Sequence, residues 1–224
     1  MTDRHCVVLG DVVGSREIAD RPSFQNQLRA AIDNVNEEYA DALVADFAIL
    51  KGVDEIGGVL ASVRPIAAIQ RTLARAVHPE QIRLAAVVGQ IDVNPESARI
   101  SMMDGTALSD ADELLSTLET ENLTFRLEGE RPRYDRLVSD QVNLLDMIRA
   151  DWSDRQLEVI TEYERLGTQT AVAEALDVSP QAISKSLRTA RAKRVLAIEE
   201  RLEATLESYP RIGAARDGEP EGTE

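Results

Sequence analysis

Residues 169–187 read Gln-Thr-Ala-Val-Ala-Glu-Ala-Leu-Asp-Val-Ser-Pro-Gln-Ala-Ile-Ser-Lys-Ser-Leu, and their spacing decides how the second half of the chain folds. Val172, Ala173 and Leu176 place one apolar face on a short helix, with Ala173 small where a second helix must cross closely. Val178 plugs the turn. Ser179 is a candidate N-cap, and Pro180 suits the first position of a second helix. Ile183 and Leu187 then pack back on the first helix, leaving Gln181, Ala182, Lys185 and Arg188 facing outward. Asp177 stands in the turn, where a left-handed backbone is needed, and Asp tolerates that conformation better than most residues.

This arrangement closely resembles the helix-turn-helix of bacterial and archaeal regulators and of sigma-factor-like domains, in which glycine is usual where this chain has Asp177. The resemblance implies double-stranded DNA as a partner. Ser179, Gln181, Lys185, Arg188, Arg191, Lys193 and Arg194 are then the candidate DNA-binding residues. Lys185 and Arg188 suit base edges or phosphates, and Arg191, Lys193 and Arg194 suit phosphates. An ordinary helical hairpin with a solvated basic face is the structural alternative. The second helix is expected to span 180–207. Along it Val195, Ile198, Leu202, Thr205 and Tyr209 continue a stripe, which would form either a homodimer seam or a face packed on the rest of the chain.

Outward from this segment, charge sharpens the contrast. The 224-residue chain carries a net charge of −15, which excludes a generally basic nucleic-acid coat. Yet residues 180–194 contain Lys185, Arg188, Arg191, Lys193 and Arg194 and no acid. Lysine occurs only at Lys51, Lys185 and Lys193. Acid excess with scarce lysine resembles the proteins of salt-loving organisms, so a halophilic archaeon is the expected source. In about 1 M salt the Debye length falls to about 3 Å, and self-repulsion is largely screened. With 43% hydrophobic residues the chain can build a packed core. It has no apolar run long enough for a membrane span and no signal-peptide layout, so a cytoplasmic protein is expected. The single Cys6 excludes an internal disulfide framework and reads as a small buried hydrophobe. Trp152 reads as a core anchor, and His5 and His78 as structural or exposed.

The first 130 residues alternate strand and helix patterns. Strands are expected over 5–10, 44–50, 55–63, 82–91 and 123–127, with a short one at 99–103. Helices are expected over 22–39, 64–77 and 106–118. The order β-α-β-β-α-β with additions predicts an α+β sandwich of the ferredoxin-like type. Three segments follow: an α+β domain over 1–130, an all-α domain over 134–209 with helices at 134–150, 154–166, 168–176 and 180–207, and a disordered acidic tail over 210–224.

Two short motifs sit at strand ends of the first segment: Leu9-Gly10-Asp11-Val12-Val13-Gly14-Ser15 and Leu50-Lys51-Gly52-Val53-Asp54-Glu55-Ile56-Gly57-Gly58. A βαβ arrangement would bring Asp11 and Asp54 together. Two carboxylates and a backbone carbonyl, with Glu55 as a third candidate ligand, make a hard-oxygen site suited to Mg²⁺ or Mn²⁺. Gly14, Ser15 and Lys51 are candidate nucleotide-binding residues, and Gly10, Gly57 and Gly58 would let backbone approach phosphates. Ordinary turn duty is the alternative for both motifs.

At these residues the chain resembles the SatD family, which pairs a strand ending Gly-Asp with a later Gly-Asp-Glu turn and a C-terminal helix-turn-helix region. Residues 103–108, Met-Asp-Gly-Thr-Ala-Leu, resemble that family's helix start. The resemblance implies a nucleotidyl-cyclase-like N-terminal domain. Here Val53 is inserted between Gly52 and Asp54, and Ile56-Gly57 replaces an aromatic-polar pair. The leading expectation is a DNA-binding transcriptional regulator whose N-terminal domain senses a nucleotide or other small effector or mediates assembly, acting as a homodimer with no membrane partner. No catalytic residue is assigned. The alternatives are a metal-dependent, cyclase-like nucleotide enzyme and a protein-protein scaffold.

Overall fold

The computed structural model describes residues 4–52, 54–209 and 212. The expected tail over 210–224 lies outside the described residues apart from Ile212. Five strands and eight α-helices run in the order β1 (Arg4–Val12), α1 (Arg21–Glu38), β2 (Leu43–Lys51), β3 (Glu55–Leu60), α2 (Ile66–Val77), β4 (Ile82–Gln90), α3 (Thr106–Glu121), β5 (Phe125–Glu128), α4 (Pro132–Ala150), α5 (Asp154–Leu166), α6 (Gln169–Ala175), α7 (Pro180–Thr189) and α8 (Ala192–Glu207). The strands form one sheet in the order β2-β3-β1-β4-β5. β1 is antiparallel to both β3 and β4, and β5 is parallel to β4.

Alternation along β1 sends its side chains to two apolar layers. Cys6, Val8 and Val12 face one layer, with Leu28 and Ile32 of α1 and Ile69 and Leu73 of α2. Val7 faces the other, with Ala107, Ala111, Leu114 and Leu118 of α3. The first layer continues without a break through Val138 and Leu145 of α4 to Val195, Leu202 and Leu206 of α8. Burial pushes the Cys6 thiol up to about 12, as expected of a small core residue.

Both outer strands have helix side chains on their free edges. At β2, Asn36 of α1 accepts from Phe47 N–H at 2.8 Å and donates to Phe47 C=O at 2.9 Å. At β5 a polar face of α4 does the same over a longer reach. Asn143 accepts from Thr124 N–H at 2.8 Å and Phe125 N–H at 3.1 Å, and donates to Phe125 C=O at 2.8 Å. Ser139 accepts from Leu127 N–H at 2.9 Å, and Asp135 from Gly129 N–H at 3.0 Å and Arg131 N–H at 3.1 Å. These helix positions recur about once per turn, and so follow the strand as a ladder partner would.

Two expectations are corrected. Residues 99–103 form no strand; Ile100–Met102 is a 3₁₀ turn, and Arg99 just before it makes an isolated bridge with Asp46 of β2. The helix expected over 180–207 is broken, because Arg191 takes a left-handed backbone with φ 55° between α7 and α8. Trp152, buried as expected, donates its indole N–H to the Ala190 carbonyl at 3.0 Å, which fixes the bend. Of the two roles open to the α8 stripe, the structure shows the packed face: Val195, Leu202 and Tyr209 are buried within the chain. Gly105 precedes α3 where backbone runs close by. A Cβ there would stand 2.8 Å from Asp92 N and 2.9 Å from the Gln90 carbonyl oxygen, which explains a glycine at this helix start.

Asn143→Ala is expected to lower stability by about 2–3 kcal/mol, since it strands several β5 edge groups away from water. Urea unfolding of this variant beside Gln141→Ala, which alters an exposed residue of the same helix, checks the assignment; equal midpoints would contradict it.

Candidate functional site

The turn between α6 and α7 is built as its residues dictate. The Thr168 hydroxyl caps α6 by accepting from Ala171 N–H at 3.2 Å. The Ser179 hydroxyl caps α7 by accepting from Ala182 N–H at 3.2 Å, with Pro180 next to it. Asp177 is left-handed at φ 50°. Val172, Ala173, Ile183 and Leu187 are buried between the helices, and Val178 is half-buried. Gln181, Lys185 and Arg188 are exposed and share one face of α7.

Beside that face lies an open cleft of about 440 Å³, lined by Gln169, Ser184, Leu187, Arg188, Arg191, Lys193 and Arg194. Four of the seven are cations and none is an acid. The break at Arg191 makes this grouping, because it turns the start of α8 back toward α7. Among the described residues, none of these four cations forms an ion pair with an acid. Lys193 lies 5.8 Å from the centroid of the Tyr163 ring, a cation–π distance. Of the sequence candidates, Arg188, Arg191, Lys193 and Arg194 meet in the cleft, whereas Gln181 and Lys185 lie on the α7 face outside it. Ser179 spends its hydroxyl on the cap. Gln169 and Ser184 were not foreseen as site residues; Gln169 could have been, since it follows a capping threonine.

The strand-end motifs also come together, in a different way than expected. Strand β1 ends beside the β2–β3 turn, and Gly10 is paired with Ile56. Asp11 is directly across from Arg83 on β4, whose guanidinium reaches both carboxylate oxygens, at 3.0 and 3.3 Å. Burial raises the Asp11 pKa above its ordinary value, Arg83 pulls it down, and the charges of Glu119 and Asp54 push it up. The buried Ser15 hydroxyl donates to the Asp54 carboxylate. Lys51 and Glu55 are exposed or half-exposed and lie 3.9 Å apart. Gly14 is left-handed with open space around it.

The carboxylates of this corner are already engaged by neighbouring side chains. Arg83 already neutralises Asp11, Ser15 engages Asp54, and among the described residues no group of three or more His, Cys, Asp or Glu side chains could hold a metal ion. Three of the expected phosphate-approach glycines face side chains instead. A Cβ on Gly10 would meet Leu84 and Arg83, one on Gly57 would meet Leu50, Leu9 and Ile100, and one on Gly58 would meet Phe47. Arg83 could not be singled out beforehand, because its role follows from strand register and not from any local motif.

Arg83→Leu is expected to raise the Asp11 pKa further and to destabilise the fold at neutral pH by roughly 1–3 kcal/mol, by leaving a part-buried carboxylate unpaired. A folded-state pKa above the unfolded one means that stability falls as pH rises through that interval. The loss should therefore shrink in acid, where the carboxyl is neutral. Carboxyl-carbon NMR titration and denaturation across pH test both statements; a pH-independent loss would contradict them.

Among the described residues no helix is long and apolar enough to cross a membrane. No curated protein matches the chain. Among solved structures, a bacterial light-regulated adenylyl cyclase shares 9% identity at a TM-score of 0.37, over 57% of this chain and 76% of its own. A regulator of polyketide synthase expression from Bifidobacterium adolescentis shares 16% identity at a TM-score of 0.26, over 92% of this chain and 86% of its own. Neither likeness is close enough to carry an argument about function. The model of the SatD family matches residues 5–205, nearly the whole described chain, and the protein belongs to the SatD family.

Proposed function

We propose that this protein is a DNA-binding regulator, in which α6 and α7 act as a helix-turn-helix and the α7–α8 cleft receives the phosphate backbone of double-stranded DNA. One observation carries the reading: four unpaired cations line one cleft in a chain whose net charge is −15. Arginine and lysine that neutralise phosphates release condensed counterions, which supplies affinity without sequence preference. Gln181, Lys185 and Arg188 extend along the adjoining face of α7, where a groove-entering helix presents its side chains. On this reading the β1-α1-β2-β3-α2-β4 unit is a ferredoxin-like, cyclase-like domain enlarged by α3 and β5, and it senses an effector or mediates assembly.

The acidic remainder of the chain sets the conditions. High potassium chloride would screen its repulsion from DNA but also weaken counterion release, so base contacts must carry more of the affinity there. The enzyme alternative has less support, because Arg83 already pairs with Asp11 and the Ser15 hydroxyl already bonds one oxygen of Asp54.

Selection of bound fragments from the native genome, run at low and high potassium chloride, tests the proposal. Wild type is expected to enrich a defined site, and Arg188→Ala/Arg191→Ala to enrich none. In titrations on that site, Lys193→Ala should weaken binding uniformly across sequences and lower the salt slope by about 1. Arg188→Ala should cost about 1–3 kcal/mol if it reads a base, and relax preference at one position. Absence of enrichment at any salt would overturn the reading.

A further inference from the structure

Helix α4 has one face committed to the sheet and another that no described element covers. Val138, Ser139, Val142, Leu145, Asp146 and Arg149 are buried. On the opposite side Leu137, Leu144 and Met147 are 65%, 51% and 62% exposed. They are three of the large hydrophobic side chains left exposed among the described residues, and they lie on one helix at spacings of seven and three. Scattered exposed leucines need no explanation, but a stripe on one rigid helix does.

The charges of that outer face run against the helix dipole. Arg133 and Arg136 are exposed in the first turns, where the helix already ends in positive charge, and the exposed Asp151 follows the last turn, where it ends in negative charge. Cations favour the C-terminal end of a helix and anions its N-terminal end, so both placements are unfavourable in an isolated chain. Arg133, Arg136, Asp140 and Asp151 form no ion pair among the described residues that would account for them.

An antiparallel copy of the same helix resolves both features. We infer that the outer face of α4 is a homodimer surface, on which two copies pair antiparallel about a twofold axis that meets this face between Asp140 and Leu144. Leu137 then packs against the partner's Met147, and the two Leu144 side chains flank the axis. Arg133 meets the partner's Asp151 at each end, so that these two misplaced charges each gain an opposite one and the two helix dipoles oppose. The 3.6-residue repeat supports this register, because Arg133, Leu144 and Asp151 lie along one line of the helix. This surface replaces the stripe on α8, which is spent inside the chain, and it does not depend on DNA binding.

Sedimentation equilibrium of the full chain at low and high potassium chloride tests the inference. Wild type is expected to dimerise, and Leu144→Glu to be monomeric with the thermal melt that wild type shows when diluted below its dimerisation range, since the side chain is half exposed. Arg133→Asp and Asp151→Arg should each weaken the dimer about tenfold at low salt and less at high salt, and the double variant should recover wild-type association. A wild type that stays monomeric at all concentrations would overturn the proposal. So would a dimer indifferent to Leu144→Glu, or a double variant no better than the single ones.

Discussion

The outer edge of β5, which no further strand pairs among the described residues, is the constraint on which the rest of this structure depends. A short parallel strand at the end of a sheet leaves a row of backbone groups that must be paired, covered or hydrated. Here the polar face of α4 pairs them, through Asp135, Ser139 and Asn143 in turn. That commitment fixes the rotation of α4 about its axis. Everything after it is placed relative to the sheet by this one choice.

The same helix face ties in the end of the chain. Asp135 is buried; burial raises its pKa, and bonds from the Tyr209 hydroxyl, Gly129 N–H and Arg131 N–H hold it down. The Tyr209 bond, at 2.7 Å, joins the end of the last helix to the start of α4. One turn past Asn143, Asp146 accepts from Thr124 at 2.7 Å, Gln70 at 2.8 Å and Arg149 at 2.5 Å. Arg149 and Arg75 meet Glu199 of α8 at 3.0 and 3.3 Å, and Arg75 meets Glu164 of α5 at 2.6 Å. Buried ion pairs are weak evidence for stability, but breaking one strands a charge. The network therefore specifies how α2, α4, α5 and α8 sit together more than it strengthens them.

What could be read from the sequence was what local physics controls. The α5 boundaries and the cap at Ser179 follow from side chains bonding to their own neighbours, and the left-handed Asp177 from the tight turn between two amphipathic helices. The convergence of the two strand-end motifs follows from the order of elements. What could not be read needed register or distance. Arg83 opposes Asp11 only because β1 and β4 pair antiparallel in that frame. Gly57 and Gly58 look like phosphate cradles until Leu9, Leu50 and Phe47 are seen to fill the space above them. The break at Arg191 falls in a run that favours helix throughout, and the interaction behind it comes from Trp152, nearly forty residues earlier.

That indole is also the only one in the chain. It is buried, and its hydrogen bond ends on the carbonyl at which α7 gives way to α8. Indole emission depends on the polarity around the ring and on the bonding of its N–H. The fold has thus placed its one strong native fluorophore at the elbow behind the basic cleft. Any change in the angle between those two helices would register as a spectral shift, with no label attached and no background from a second tryptophan.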